Sequence, residues 1–196
     1  MTDLTERFED ALALATKLHR HQRRKGTNIA YVAHLLGVAA VALELGADED
    51  QAIAALLHDS LEDQGHQIRS ADIRARFGER VAAMVEACTD GEPDADTGKK
   101  APWRERKEAY IAAMAHKGPD ALLVSLADKT HNARAILDDL AVHGDALWSR
   151  FTSGREGSLW YYDALAHAFK QHLPGPGATR LTAIVADMHQ AAREQA

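Results

Sequence analysis

The stretch AALLHDSLED, residues 54–63, begins as an apolar helix and ends in a histidine and three acids. A helix serving only to pack would go on burying leucines here. Instead His58, Asp59, Glu62 and Asp63 crowd into little more than one turn. Neighbours on a helix point about 100° apart, so His58 and Asp59 can both reach one ion lying off the axis between them. Imidazole together with carboxylate suits Mn, Fe, Zn and similar divalent metals. Glu62 follows His58 by four residues and Asp63 follows Asp59 by four, which sets both one turn further along the same side. A solvated helix end would carry the same residues, and for the stretch taken alone that is the favoured reading.

The flanking chain reads as helix almost throughout. Apolar residues recur at helical spacing, and strand-like alternation is missing. Phe8, Leu12, Ala15 and Leu18 mark one face of a first helix over about 5–23, broken by Gly26, Thr27 and Asn28. A second helix is expected over about 31–45 and stops at Gly46; Asp48 caps a third over about 49–62. Ser70 caps a short fourth that Gly78 ends, and residues 79–89 form a fifth. TDGEPDADTGKKAP then breaks the pattern with glycines, prolines and acids, and reads as a long mobile loop of the kind that borders a site. Helices follow over about 102–116, 119–142, 155–172 and 177–194. With no repeat and no composition break, the expectation is one all-α domain over residues 1–196.

Composition narrows the function classes. A net charge of -6 leaves no overall basic excess, which argues against non-specific nucleic-acid binding. Cys88 is the only cysteine, so no internal disulfide forms and a reducing cytoplasm is the expected home. The acidic, amphipathic start MTDLTERFEDALA does not read as a signal peptide. No apolar stretch approaches the roughly 18 residues of a membrane span. Eleven histidines are the unusual count and invite a search for ligands.

Two further stretches supply candidates. In YVAHLLGVAAVAL, residues 31–43, His34 interrupts an apolar face. In LLVSLADKTHNARAIL, residues 122–137, Asp128 and Asn132 stand four apart after an apolar run. A buried carboxylate without a partner is very costly. A divalent cation is one partner for Asp128; Lys129 or Arg134 is the purely structural one. Each stretch alone has a bland reading. Together they place His, His-Asp and Asp on three amphipathic helices, each where a polar side chain breaks an apolar pattern.

That order, H…HD…D, resembles the HD phosphohydrolase superfamily, and HRHQRRKG (19–26), HDSLED and LADKTHN (126–132) narrow the resemblance to the hydrolase domain of the RelA/SpoT family. The similarity spans about 15–140; WSRF (148–151) and LWYYDAL (159–165) extend it toward the small stand-alone alarmone hydrolases, and no synthetase, TGS or ACT region is read after it. Ala30-Tyr31 departs from the family's Pro-Tyr, and the loop from Lys25 to His34 is one residue longer than in the bifunctional enzymes.

The resemblance implies a multi-helix HD-domain bundle that removes the 3′-pyrophosphate from ppGpp or pppGpp, giving GDP or GTP and pyrophosphate, with Mn²⁺ as the metal. It implies His34, His58, Asp59 and Asp128 as ligands, and Glu62 and Asp63 as the pair that orients and deprotonates water. Arg24 and Lys25 are the family's nucleotide contacts, though their expected place at the end of the first helix also suits cations facing unpaired carbonyls. Asn132 is placed to bond ribose or base, and Tyr161 or Tyr162 to reach a phosphate. Lys99, Lys100, Arg104 and Lys107 form either a second phosphate-binding edge or a solvated helix start. His131 either orients a ligand or packs; His19 and Gln22 either support the site or are structural; Trp148 and Trp160 belong to the core. His66, His116, His143, His167, His172 and His189 are read as surface residues. An alarmone synthetase is the implied functional opponent. Action on NADPH or another nucleoside phosphate, or a non-catalytic nucleotide sensor, are the alternatives.

Overall fold

The computed structural model describes residues 2–89 and 101–194. Most of the stretch expected as a loop, with Lys99 and Lys100, lies outside them. Regular structure among the described residues is helical apart from one isolated antiparallel bridge, Arg23 to Ala30, so the all-α expectation holds.

The described residues within Met1–Thr89 and Gly118–His131 form one compact unit, and those within Asp90–Lys117 and Asn132–Ala196 form a second. The first contains α1 (Glu6–Leu18), α2 (Val32–Glu44), α3 (Glu49–Leu57), α4 (Ser60–Gln64), α5 (Ser70–Phe77), α6 (Glu79–Cys88) and the beginning of α8 (Pro119–His143). Helix α3 is its centre. Asp48 and Gln51 form a reciprocal capping box at its start, and every residue from Gln51 to Leu57 is buried. A helix apolar on all sides must be covered on all sides; α1, α2 and α6 all pack against it. Burying a side chain such as Ile53, Leu56 or Leu57 contributes about 1.5–3 kcal/mol each. Outside this core, Arg80 bridges Asp48 and Asp120 at 2.7 and 2.8 Å, an exposed link worth little by itself.

The structure departs from the sequence reading at two places that matter to the site. Helix α1 ends at Leu18, not at 23: the His19 N–H closes on the Ala15 carbonyl, and Gln22 N–H bonds back to His19 O. The chain then turns through Gly26 at φ 72, where left-handed backbone favours glycine. Arg24 N–H donates to Ile29 O at 2.9 Å across this turn, so Arg24 and Lys25 do not sit on a helix end. The expected helix over 49–62 breaks at His58-Asp59. Ser60 Oγ donates to the Leu57 carbonyl at 2.6 Å and α4 restarts at Ser60, with Asp63 N–H bonding Asp59 O at 2.9 Å. A smaller difference is the α5 cap: Asp72 accepts from Arg69 N–H at 2.9 Å, and Ser70 is already the first helical residue.

The second unit contains α7 (Trp103–Ala113), a 3₁₀ turn at Met114–His116, the remainder of α8, a 3₁₀ segment at Gly144–Arg150, α9 (Gly154–His172) and α10 (Pro176–Glu194). Helices α9 and α10 pack on each other, and Met114, Leu140, Leu147, Trp148, Leu165, Phe169, Leu181 and Met188 are buried. Trp148 is a core residue as expected. His189 is a surface residue with a partner: its Nε2 lies 2.9 Å from Asp163, too distant in sequence for local pattern to reveal.

Candidate metal centre

Three pieces of the first unit bring the expected ligands together. Helix α2 buries His34, the break between α3 and α4 presents His58 and Asp59, and α8 buries Asp128. One donor atom from each of His34, His58 and Asp59 lies within 4.8 Å of the others, a group that could hold a metal ion. Asp128 Oδ1 closes the set at 3.3 Å from His34 Nε2 and 3.6 Å from His58 Nε2.

The hydrogen bonding shows which atoms face inward. His58 Nδ1 donates to the Ala55 carbonyl at 2.9 Å; a carbonyl only accepts, so this nitrogen carries the proton. His58 Nε2 is buried and makes no hydrogen bond of acceptable geometry, although Asp59 Oδ2 lies 3.0 Å away. A nitrogen lone pair and a carboxylate oxygen at that separation call for positive charge between them. A proton can supply it. Burial disfavours the charged imidazole, yet Asp59 and Asp128 outweigh burial and raise His58 well above its ordinary pKa. A divalent cation supplies the same charge and suits the two-imidazole, two-carboxylate donor set. Burial opposes ionised Asp59 as well, but His58 and His34 hold it well below the usual carboxylate range.

Asp128 has the structural partner the sequence allowed and also faces the candidate metal site. Lys129 Nζ pairs with Oδ2 at 2.7 Å, while Oδ1 faces the histidines. Against the cost of burial, the Lys129 ammonium, then His34 and His58, keep Asp128 well below its ordinary pKa. Tyr31 went unassigned in the sequence reading. Its hydroxyl donates to Asp59 Oδ2 at 2.5 Å, and burial together with Asp59 raises its pKa so that it stays a donor. The available signal was its place three residues before His34, one turn away on the same face.

Glu62 and Asp63 lie on α4, just past Asp59. Gln22 Nε2 donates to Asp63 Oδ2 at 2.7 Å. Gln22 is held in that orientation because its Oε1 accepts from His19 Nδ1 and from Gln64 Nε2, both at 2.7 Å. Burial by neighbouring groups raises the Asp63 pKa; the Gln22 hydrogen bond opposes this, and Asp59 and Glu62 add to it. Its side chain nevertheless remains open to solvent. Arg24 is partly buried, with Nη1 3.5 Å from His131 Nδ1, and Lys25 is exposed. His131 Nδ1 also lies 3.0 Å from His34 Nδ1.

The remaining candidates belong to the second unit. Asn132 lies one turn beyond Asp128 along α8. Lys107 Nζ stands over the Tyr161 ring at 5.1 Å, and Tyr161 and Tyr162 are buried. The Arg104 guanidinium covers the Trp160 ring at 3.1 Å, a pairing that gives Trp160 a polar contact as well as packing.

The family model described as HD domain matches residues 11–159. The chain is 38% identical over 134 residues to a guanosine-3′,5′-bis(diphosphate) 3′-pyrophosphohydrolase of Aquifex aeolicus, covering 67% of this chain and 18% of that protein. It is 35% identical over 128 residues to the Homo sapiens guanosine-3′,5′-bis(diphosphate) 3′-pyrophosphohydrolase MESH1, covering 64% of this chain and 66% of that one. Among solved structures, a metazoan orthologue of SpoT described as hydrolysing ppGpp superposes with a TM-score of 0.76 at 28% identity, over 95% of this chain and 97% of its own. The chain spans less than a fifth of the length of the long bacterial relatives it matches. The resemblance read from H…HD…D is thus borne out over most of the sequence, and the chain belongs to the HD-domain family.

Proposed function

We propose that this protein is a metal-dependent (p)ppGpp 3′-pyrophosphohydrolase. The observation that carries the reading is the donor set: the bare, buried His58 Nε2 and the buried His34 Nε2 facing Asp59 and Asp128 in a chain whose relatives are named for this reaction. His34, His58, Asp59 and Asp128 would hold the ion, with Mn²⁺ as the proposed occupant. Such an ion lowers the pKa of a water molecule and offsets charge on phosphoryl oxygen.

The chain's own residues do the rest. Glu62 and Asp63 orient the attacking water and accept its proton as its oxygen bonds to the phosphorus attached at the 3′ position. The bond from that phosphorus to the ribose 3′ oxygen breaks, the 3′ oxygen takes up a proton, and pyrophosphate leaves with GDP or GTP as the other product. Arg24 and Lys25 supply positive charge to a substrate carrying two diphosphates; a guanidinium also stacks on a purine face. Asn132 bonds the ribose or base, and Lys107 and Tyr161 are proposed phosphate contacts. Turnover of alarmones sets the protein against an alarmone synthetase and in the cytoplasm. Among the described residues no helix is long and apolar enough to cross a membrane.

The test is pyrophosphate release from ppGpp by chelator-stripped protein, with and without added Mn²⁺, beside a panel containing NADPH and nucleoside phosphates. Metal-restored release from ppGpp is the expected result. Full activity after stripping rejects the metal, and turnover confined to another nucleotide rejects the substrate.

A further inference from the structure

Helix α2 carries a glycine, Gly37, in its interior. Glycine weakens a helix there, so its presence asks for a packing reason. The reason is the His131 ring. A Cβ built on Gly37 would lie 2.1 Å from His131 Nε2 and 2.2 Å from its Cδ2, well inside any real contact. Gly37 follows His34 by three residues and shares its face of the helix. The missing side chain therefore lets the Nε2–Cδ2 edge of the imidazole from α8 lie close against α2, beside the ligand histidine.

In that position His131 Nδ1 faces two groups. Arg24 Nη1 approaches it at 3.5 Å, and a guanidinium can only donate. His34 Nδ1 lies 3.0 Å away. With Arg24 on the same nitrogen, His131 Nδ1 is the acceptor, and His34 Nδ1 must carry the proton. The His34 lone pair then belongs to Nε2, the atom turned toward Asp59 and Asp128. His58 reaches the same tautomer through a backbone carbonyl, while His34 depends on another side chain.

From this geometry we infer that His131 is a positioning residue: seated on Gly37, it fixes the tautomer and ring orientation that let His34 bind the metal. The inference rests on the proposed metal centre. Removing outer partners of ligand histidines typically costs 10–100-fold in metal affinity. The same nitrogen joins Arg24, a proposed nucleotide contact, to a metal ligand.

The experiment titrates Mn²⁺ alone into the chelator-stripped full chain and measures Kd by calorimetry, with far-ultraviolet circular dichroism and melting temperature of the metal-free protein in parallel. His131→Ala should weaken Mn²⁺ binding about 10–100-fold. His131→Asn, whose amide oxygen can accept near the Nδ1 position, should recover most of the loss. Gly37→Ala, which displaces the ring, should reproduce the weakened binding despite a better helix former at that position. The double variant should bind no worse than His131→Ala alone, because the three atoms nearest the added methyl all belong to the ring that is gone. That non-additivity marks one shared interaction. If wild type takes up Mn²⁺ and His131→Ala and Gly37→Ala bind it equally tightly, His131 merely packs and the inference fails alone. If wild type takes up no Mn²⁺, the metal centre and the inference both fall.

Discussion

Replacing Gln22 by leucine tests the proposed base through a contact that never touches substrate. Gln22 Oε1 is committed to His19 and Gln64, so its amide nitrogen has to face Asp63 Oδ2 at 2.7 Å. Leucine keeps most of the volume and removes the donor. A hydrogen bond to a charged group contributes about 1.5–3 kcal/mol. Both residues are reached by solvent, and screening reduces this to about 1 kcal/mol. Since 1.4 kcal/mol corresponds to about one pKa unit, the expected change is about 0.7 unit. The sign follows from the surroundings. Burial, Asp59 and Glu62 push the Asp63 carboxyl up, and the Gln22 bond opposes them, so its loss moves the carboxyl further up. A general base works deprotonated; activity is present above its pKa and lost as pH falls through it. The acid limb of log kcat should therefore move to higher pH by about 0.7 unit while the plateau holds, with turnover well below the limb about fivefold slower. The assay is pyrophosphate release at saturating ppGpp across the acidic and neutral range, with melting temperature taken at plateau pH. An unmoved limb beside a lowered melting temperature would show that Gln22 only stabilises the turn, or that Asp63 is not the base.

Three other perturbations probe the metal, the substrate and the core. Mn²⁺ at about 100 times its Kd should stabilise wild type by about 2.7 kcal/mol, which for a chain of this size raises the melting temperature by about 5–11 °C; Asp59→Asn should abolish the rise, and an unchanged rise in a thermal melt would remove Asp59 from the ligand set. Arg24→Ala and Lys25→Ala should each weaken ppGpp binding by about 1.5–3 kcal/mol, and the exposed Lys25 should do so with melting temperature unchanged, because α1 ends at Leu18 and does not use it as a cap; KM for ppGpp and Kd for GDP, measured side by side, tell which diphosphate each cation serves. Leu56→Ala, in the fully buried centre of α3, should cost about 2–5 kcal/mol in denaturant unfolding, and a loss under 1 kcal/mol would contradict the packing described for that helix.

What the sequence determined by itself was periodic or chemical. Helical spacing located α2, α8, α9 and α10 to within a residue or two, because one buried face repeats along each of them. The candidate ligand types were legible for a related reason: His34 and Asp128 interrupt apolar faces, and an ionisable group there is too costly to bury without a partner. Tertiary structure decided what depends on atoms distant in sequence. The break at His58-Asp59 turns on a serine hydroxyl capturing one carbonyl. The place of Arg24 and Lys25 follows from a helix that stops early and a turn closed across Arg23 and Ala30. Asp128 divides its two oxygens between Lys129 and the histidines, where the sequence presented a choice. Tyr31 on Asp59, Gln22 on Asp63 and His131 over Gly37 join segments between 28 and 97 residues apart, counting His131 through its bond to His34. A periodic pattern records which face of a helix is buried; hydrogen-bond partners and imidazole tautomers are set only when separate helices pack and their polar atoms must be satisfied together.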